Sequence, residues 1–173
     1  NTKDTLAGQI DSSWNLHDED DWFLNNVINF CIGQFSNHFK PHPELMPYLH
    51  QHPYHIEQMW VNYQKENEFN PLHHHHGTYS FVIWMKIPTN FEDQKKLKIA
   101  SESNNDSISN FSFSYNDILG NNNSHYYYMS KEVEGTMLFF PSQLCHQVYP
   151  FYNCDDDRIS ISGNISLKTN QTL

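Results

Sequence analysis

A cluster of histidines beside a predicted strand is the part of this sequence best suited to chemistry. Four consecutive histidines, residues 73–76, follow an Asn-Pro turn and precede residues 80–87, a run rich in aromatic and β-branched side chains. Such a run predicts a buried β-strand. Because side chains alternate along an extended chain, His73 and His75 would point to one side and His74 and His76 to the other. One such pair could share a metal ion, whereas all four histidines could not.

A first-row metal site normally has a third protein ligand, and His146 is a candidate for it. It follows a second apolar stretch, residues 135–140, which ends at Pro141. Arg158 comes twelve residues after His146 and lies in residues 157–165, which alternate between polar and apolar side chains. The planar, permanently charged guanidinium of arginine suits a bidentate pair with a carboxylate. The sequence thus contains His-x-His, a distant His and then Arg-x-Ser.

This order resembles that of the Fe(II)- and 2-oxoglutarate-dependent oxygenases. The resemblance extends over about residues 55–167. Within the superfamily, the sequence is most similar to the small oxygenase-like proteins of marine phages and bacteria. It is carried by Trp60-Val61-Asn62, Asn70-Pro71, His73, His75, Gly77, Phe140-Pro141, His146, Arg158-Ile159-Ser160 and Asn164.

The resemblance implies a mainly β (α+β) fold, with a double-stranded β-helix core of the jelly-roll or cupin type and an N-terminal helical layer. The implied Fe(II) ligands are His73, His75 and His146. The implied contacts to 2-oxoglutarate, as cosubstrate, are Arg158, Ser160, Asn62 and Tyr63. The implied activity is that of a dioxygenase that hydroxylates a peptide side chain, an amino acid or a small metabolite.

One residue departs from the wider superfamily, in which the first ligand pair is His-x-Asp or His-x-Glu. Position 75 is a histidine here, so three neutral imidazoles would surround the iron and its net charge would be one unit more positive. The sequence leaves open whether His75 or His76 is the second ligand. It also leaves two alternatives: a cupin-like three-histidine metal protein or dioxygenase that does not use 2-oxoglutarate, and a non-catalytic relative.

The elements that must position these residues are predicted to form one domain over residues 1–173. Residues 1–54 would be a helical N-terminal support and residues 55–167 the β core. Acidic residues 18–21 suit a helix start. The apolar residues expected on the buried face of that helix are Trp22, Phe23, Val27, Phe30, Cys31, Phe35 and Phe39. The proline-rich residues 41–53 would form a connector.

Within the core, strands are expected over residues 55–66, 107–119 and 126–129. The polar residues 89–106 suit a solvated, charged loop, with a lid over the active-site mouth as the alternative. Phe81, Ile83, Phe139 and Phe140 are candidates for the dry walls of the site, although core packing would explain them equally well.

Composition narrows the classes of partner. The chain has 173 residues, 20 acidic against 10 basic, and a formal net charge of −10, which argues against a nucleic-acid partner. Three cysteines without CxxC spacing suit a reducing cytoplasm, or the cytoplasm of a host if the protein is phage-encoded. The sequence shows no run long enough to span a bilayer and opens with no signal-peptide pattern, so no membrane partner is expected. Oligomeric state is left open.

Overall fold

Two antiparallel β-sheets face each other in a computed structural model, which describes residues 1–39 and 53–168. The strands are β1 (Ser12–Leu16), β2 (Tyr54–Gln64), β3 (Asn70–His73), β4 (Tyr79–Lys86), β5 (Phe111–Asn116), β6 (Asn122–Tyr127), β7 (Met137–Pro141), β8 (Cys145–Val148) and β9 (Arg158–Leu167). The larger sheet has the order β1-β2-β9-β4-β7 and the smaller one β3-β8-β5-β6. Early strands thus lie beside late ones, as in a jelly roll. The predicted double-stranded β-helix core is confirmed.

The space between the sheets is filled by large apolar side chains from both inner faces. Because residues alternate along β4, Val82 and Trp84 point inward, where they meet Phe111, Phe113 and Phe140. Trp84 is 2% exposed and Phe111 1% exposed. Burying a side chain of this size contributes roughly 2–3 kcal/mol each. This packing supports the strands that carry the histidines.

The predicted N-terminal helix is present, but its buried face differs from the prediction. A π-helical turn (Leu24–Ile28) continues into α1 (Asn29–His38). The carboxylate of Asp18 accepts hydrogen bonds from the backbone N–H groups of Phe23 and Leu24, both at 2.8 Å, as the acidic start predicts.

The side chains that this helix buries on the outer face of the larger sheet are Leu24, Ile28 and Ile32. Trp22, Phe30 and Phe39 are instead 63%, 66% and 67% exposed. The expectation that they belong to the buried stripe was wrong, because the face that meets the sheet follows positions 24, 28 and 32, spaced four apart. Of the predicted aromatic residues, Phe23 and Phe35 do contact the sheet, through the rings of Phe81 and Tyr79.

Residues 12–16 form a strand and not part of a helix, which corrects the helical prediction for that segment. β1 pairs with β2 along its whole length, from Ser12 opposite Tyr63 to Leu16 opposite Met59. A serine-rich segment has little intrinsic helix preference, and pairing with a sheet edge satisfies its backbone. The pairing places Ser13 on the cavity side of the larger sheet, where its hydroxyl donates to Asn62 Oδ1 at 2.7 Å.

Residues 89–106 form two short helices away from the histidines, α2 (Phe91–Lys95) and α3 (Lys98–Ser101). Phe91 and Ala100 pack with Ile108 in a small separate cluster. None of these residues lines the cavity beside the histidines. The lid alternative is therefore not supported.

Two further expectations from the sequence concern the connector and membrane-spanning segments. The expected connector over residues 41–53 lies outside the described residues except for Pro53. Within residues 1–39 and 53–168, every helix is too short or too polar to cross a bilayer.

Candidate metal centre

Three imidazoles meet at one end of the space between the sheets. His73 is the last residue of β3, and the β3–β8 pairing places it directly opposite His146. His75 follows two residues later, beyond the end of the strand. One ligating nitrogen from each of the three histidines lies within 4.8 Å of the others, which makes them a group that could hold a metal ion. The structure thus brings together the three residues proposed as ligands.

The backbone of His75 is fixed by the turn between β7 and β8. Its N–H donates to the carbonyl of Ser142 at 2.9 Å, and the side-chain amide of Gln143 donates to its carbonyl at 3.0 Å. The ring of His75 lies beside that of Trp60, with 5.8 Å between centroids. His74 and His76 are exposed. Of the two candidates for the second position, the structure places His75 in the cluster.

Hydrogen bonds to backbone carbonyls orient two of the rings. His73 Nδ1 lies 2.7 Å from the carbonyl of Pro71, and His146 Nδ1 lies 2.9 Å from that of Leu144. A carbonyl oxygen can only accept, so each Nδ1 carries the proton and each Nε2 keeps its lone pair. This is the arrangement usual for metal-ligating histidines.

The spacing of the nitrogens also fits a metal. His146 Nε2 and His75 Nε2 are 3.2 Å apart. Two nitrogens each about 2.1 Å from one metal ion, in adjacent positions, would be separated by about 3 Å. Because Nε2 of His146 is an acceptor, the same distance also allows a hydrogen bond from His75 when no ion is bound.

Burial keeps the three imidazoles neutral. It lowers the pKa of His75 to about 3 and that of His146 to about 4, and it also lowers the pKa of His73. The other histidines of the cluster oppose protonation further through charge repulsion. Metal ligation requires the neutral form of histidine, so the site is ready to bind a cation at neutral pH.

A small cavity adjoins the cluster, with a volume of about 40 Å³. Phe111 stacks on the ring of His146 at 5.7 Å, and Phe140 meets its edge at 5.0 Å. Other lining residues are Leu6, Ala7, Gly8, Ser13, Trp60, Asn62, Asn70, Phe81, Val82, Trp84, Val148, Ser160 and Ser162. Of the expected dry walls, Phe140 and Phe81 line the cavity, and Phe81 also packs with the N-terminal helix. Ile83 and Phe139 pack on the outer face of the larger sheet.

Arg158 is fully buried at the start of β9, and no acidic partner for it lies within residues 1–39 and 53–168. Its Nη2 donates to both the carbonyl and the hydroxyl of Ser109, at 2.7 and 2.8 Å, and its guanidinium lies 4.9 Å from the centre of the Phe151 ring. Its Nε has no hydrogen-bond partner, and within the described ranges no carboxylate forms a salt bridge with it. Burial lowers the pKa of Arg158 to about 9, which leaves it charged at neutral pH. A buried cation with an unused donor is suited to an anionic ligand.

The other residues predicted to contact 2-oxoglutarate lie on different faces of the larger sheet. Ser160 and Asn62 are opposite each other on β9 and β2, and both line the cavity. Tyr63 is the next residue along β2, so its side chain lies on the other face, in a shallow surface depression with Trp14. Its predicted contact with the cosubstrate is not supported by this placement.

Four residues near the site were not predicted from the sequence. Ser162 could have been found, since period-two alternation from Ser160 places it on the same face. Ser13 was not predicted because its segment, β1, was expected to be helical. Ser109 and Phe151, which hold Arg158, lie in loops and carry no sequence signal.

A family model matches this chain over residues 58–164, which is more than half of it. The family is described as "Putative 2OG-Fe(II) oxygenase". A comparison with curated protein sequences finds no match.

Among solved structures, a prolyl-4-hydroxylase from Pseudomonas putida is similar, with a TM-score of 0.53 and 11% identity, over 91% of this chain and 72% of that one. An oxidoreductase of the 2OG-Fe(II) oxygenase family from Burkholderia pseudomallei has a TM-score of 0.46 and 13% identity, over 76% of this chain. The chain spans 49% of that protein's length. A cupin domain from Bordetella pertussis has a TM-score of 0.34 and 10% identity, over 68% of this chain and 94% of that one. The Pseudomonas likeness supports the fold described above.

Proposed function

The chain belongs to the 2OG-Fe(II) oxygenase family, and we propose that it is an Fe(II)- and 2-oxoglutarate-dependent dioxygenase that hydroxylates a peptide side chain, an amino acid or a small metabolite. The observation that carries the proposal is the convergence of His73, His75 and His146 on one point beside a cavity between the sheets. The bound iron and 2-oxoglutarate would supply the oxidising chemistry, in which dioxygen and decarboxylation of the cosubstrate drive hydroxylation of a C–H bond.

The histidines would hold the iron through Nε2 of His73 and His146 and through a ring nitrogen of His75. The carbonyls of Pro71 and Leu144 keep the first two rings in the required tautomer. Since all three ligands are neutral, the bound iron would retain its full positive charge, which favours anionic partners such as carboxylates.

Arg158 would pair with the distal carboxylate of 2-oxoglutarate. The fit rests on its unpartnered Nε, its complete burial and its neutral contacts, which are the Tyr149 carbonyl, Ser109 and the Phe151 ring. Because Ser109 and Phe151 already orient the guanidinium, little side-chain freedom is lost on binding. Ser160 and Asn62 would supply further polar contacts from the cavity wall.

The apolar rings around the site would exclude water from the reaction. Phe111 and Phe140 enclose His146, and Val82 and Trp84 close the floor between the sheets. A dry site strengthens the charge interactions inside it and limits side reactions.

The test is an anaerobic titration of the Fe(II)-loaded protein with 2-oxoglutarate. The signal that is monitored is the metal-to-ligand charge-transfer band in visible absorbance. We expect a band for the natural chain and a much weaker cosubstrate affinity for Arg158→Ala. Because Arg158 is fully buried, Arg158→Lys and Arg158→Met are made as well, and Fe(II) binding by each variant shows that its site has folded. Iron bound without any band would overturn the 2-oxoglutarate assignment.

A second candidate is a three-histidine metal dioxygenase or binding protein that does not use 2-oxoglutarate. It is favoured by one observation: within the described residues, no carboxylate joins the three imidazoles. The titration separates the two candidates, and failure of the folded protein to bind iron would favour a non-catalytic relative. The single-domain organisation and the cytoplasmic location remain predictions.

A further inference from the structure

A segment near the N-terminus forms one wall of the cavity; it bends at Leu6 and Ala7 and forms a bridge at Gln9. We call residues 6–9 the strap. Leu6, Ala7 and Gly8 line the same cavity as the three histidines. The backbone N–H of Gln9 donates to the carbonyl of Phe69 at 2.8 Å, in an antiparallel bridge beside β3. The strap thus pairs with the residue directly before β3, the strand that carries His73.

The strap fits closely against this strand. A Cβ atom on Gly8 would overlap the amide oxygen of Asn70, the first residue of β3. β3 is an edge strand of its sheet, and edge strands present unpaired backbone groups that an extended peptide can use. The place that the strap fills therefore has the size and hydrogen-bonding chemistry of a peptide backbone.

The strap is held at its ends and free in its middle. On one side, the N–H of Thr2 donates to the carbonyl of Ser13 at 2.8 Å, and Lys3 forms an ion pair with Asp11. On the other side, Ile10 is 2% exposed. Among the described residues, Ala7 and Gly8 make no hydrogen bond. The middle of the strap can therefore lift while its anchors remain in place.

The size of the cavity requires such a movement. Its volume of about 40 Å³ is far below the roughly 300 Å³ of the smaller ligand pockets. Most of the other walls are strand residues such as Trp60, Val82 and Ser160, which are held in hydrogen-bonded ladders. The strap is the wall that costs least to displace.

We propose that the cleft beside β3 is a binding site for an extended peptide and that the strap is its internal occupant, which a peptide substrate displaces. The proposal rests on the proposed function, and it narrows the substrate class to a peptide whose backbone donates to the Phe69 carbonyl. The side chain following the path of Leu6 and Ala7 would then face the histidines.

The experiment uses the full chain and two variants of Gln9, the strap residue whose side chain is exposed and whose backbone N–H bonds Phe69. Gln9→Pro removes the N–H that bonds Phe69 and so weakens the strap, whereas Gln9→Ala keeps that N–H and serves as the control. The probe is a fluorescent, acetylated and amidated peptide of residues 4–12, with a scrambled version beside it. Binding is read as fluorescence anisotropy, and hydrogen–deuterium exchange in β2 and β9 shows that each variant has folded.

We expect Gln9→Pro to bind the peptide at least about tenfold more tightly than the natural chain, because the internal competitor is weakened. Gln9→Ala should behave as the natural chain, and the scrambled peptide should not bind. Exchange should stay unchanged in β2 and β9, which shows that Gln9→Pro keeps the fold. Equal binding by all three chains, binding of the scrambled peptide, or no binding by Gln9→Pro would overturn the inference. The assay needs neither iron nor 2-oxoglutarate, so its result is independent of the charge-transfer titration.

Discussion

Arg158 and Ser109 form a buried contact in which one guanidinium nitrogen donates to both the carbonyl and the hydroxyl of a single serine, at 2.7 and 2.8 Å. Ser109 is itself fully buried and has a φ of 62°, in the left-handed region. This backbone conformation turns both oxygens of the residue toward the arginine. The proposed anion-binding group is therefore oriented by a strained loop residue that lies 49 positions earlier in the chain.

Replacing Ser109 should weaken the binding of 2-oxoglutarate more than the binding of iron. Ser109→Gly relieves the strain and keeps the carbonyl but loses the hydroxyl, a bond to a charged group worth roughly 1.5–3 kcal/mol. We expect a several-fold rise in the Kd of 2-oxoglutarate with little change in Fe(II) affinity, both measured by anaerobic titration.

A matched control for this variant is Ser112→Ala, which removes another buried hydroxyl, one that accepts from Gln147. Its cosubstrate affinity should be unchanged. Equal losses in both variants would mean that the effect is general destabilisation and that Ser109 does not position Arg158.

Replacing His75 and His76 one at a time should distinguish a metal ligand from a histidine that does not bind the metal. His75→Ala removes a ring from the cluster and should lower the affinity for a divalent metal at least about 100-fold, since one of three ligands is lost. His76→Ala changes an exposed side chain and should leave the affinity unchanged. Calorimetric titration with Co(II) or Zn(II) measures both. Comparable losses in the two variants would contradict the assignment of His75.

The metal-free protein should lose stability as the pH falls below neutral. Burial lowers the pKa values of His75 to about 3 and His146 to about 4, while the same groups in the unfolded chain titrate near 6.5. Between those values the unfolded chain binds protons that the folded chain does not, so the free energy of unfolding falls with falling pH. For His146 alone the loss would approach about 3 kcal/mol near pH 4, at about 1.4 kcal/mol per pKa unit.

Urea unfolding of the metal-free protein between pH 7.5 and 5 measures this slope above the range in which most carboxylates titrate. His146→Gln should reduce it, whereas His76→Gln should not. A free energy of unfolding that is flat or rises toward pH 5 in the natural chain would contradict the prediction.

Two glycines should respond in opposite ways to alanine. A Cβ on Gly163 would lie 2.6 Å from the Phe81 ring and 2.8 Å from the carbonyl of Gln58, so Gly163→Ala should cost about 2–3 kcal/mol. Gly33 lies in α1 with nothing within 4 Å of such an atom, so Gly33→Ala should stabilise by about 0.5–1 kcal/mol. Thermal unfolding compares the two. Similar shifts in Tm would show that the sheet at Gly163 is looser than the structure indicates.

Local patterns were enough to predict part of the fold. The apolar, β-branched run of β4 and the acidic helix start at Asp18 indicated a strand and a helix, because period and capping chemistry are properties of neighbouring residues. They failed where long-range packing decided the outcome. β1 became a strand because it pairs with β2, and the helix buried Leu24, Ile28 and Ile32 and left larger aromatic residues exposed.

The sequence by itself determined the candidate chemistry: a histidine pair, a later histidine, and an arginine followed by serine on a strand. Only the tertiary structure decided that His75 and not His76 joins the cluster, that Tyr63 faces away, and that residues 6–8 line the cavity beside the histidines. The physical reason is that residue types fix what a side chain can ligate. Its position depends on strand pairing between segments more than 70 residues apart, as for His73 and His146.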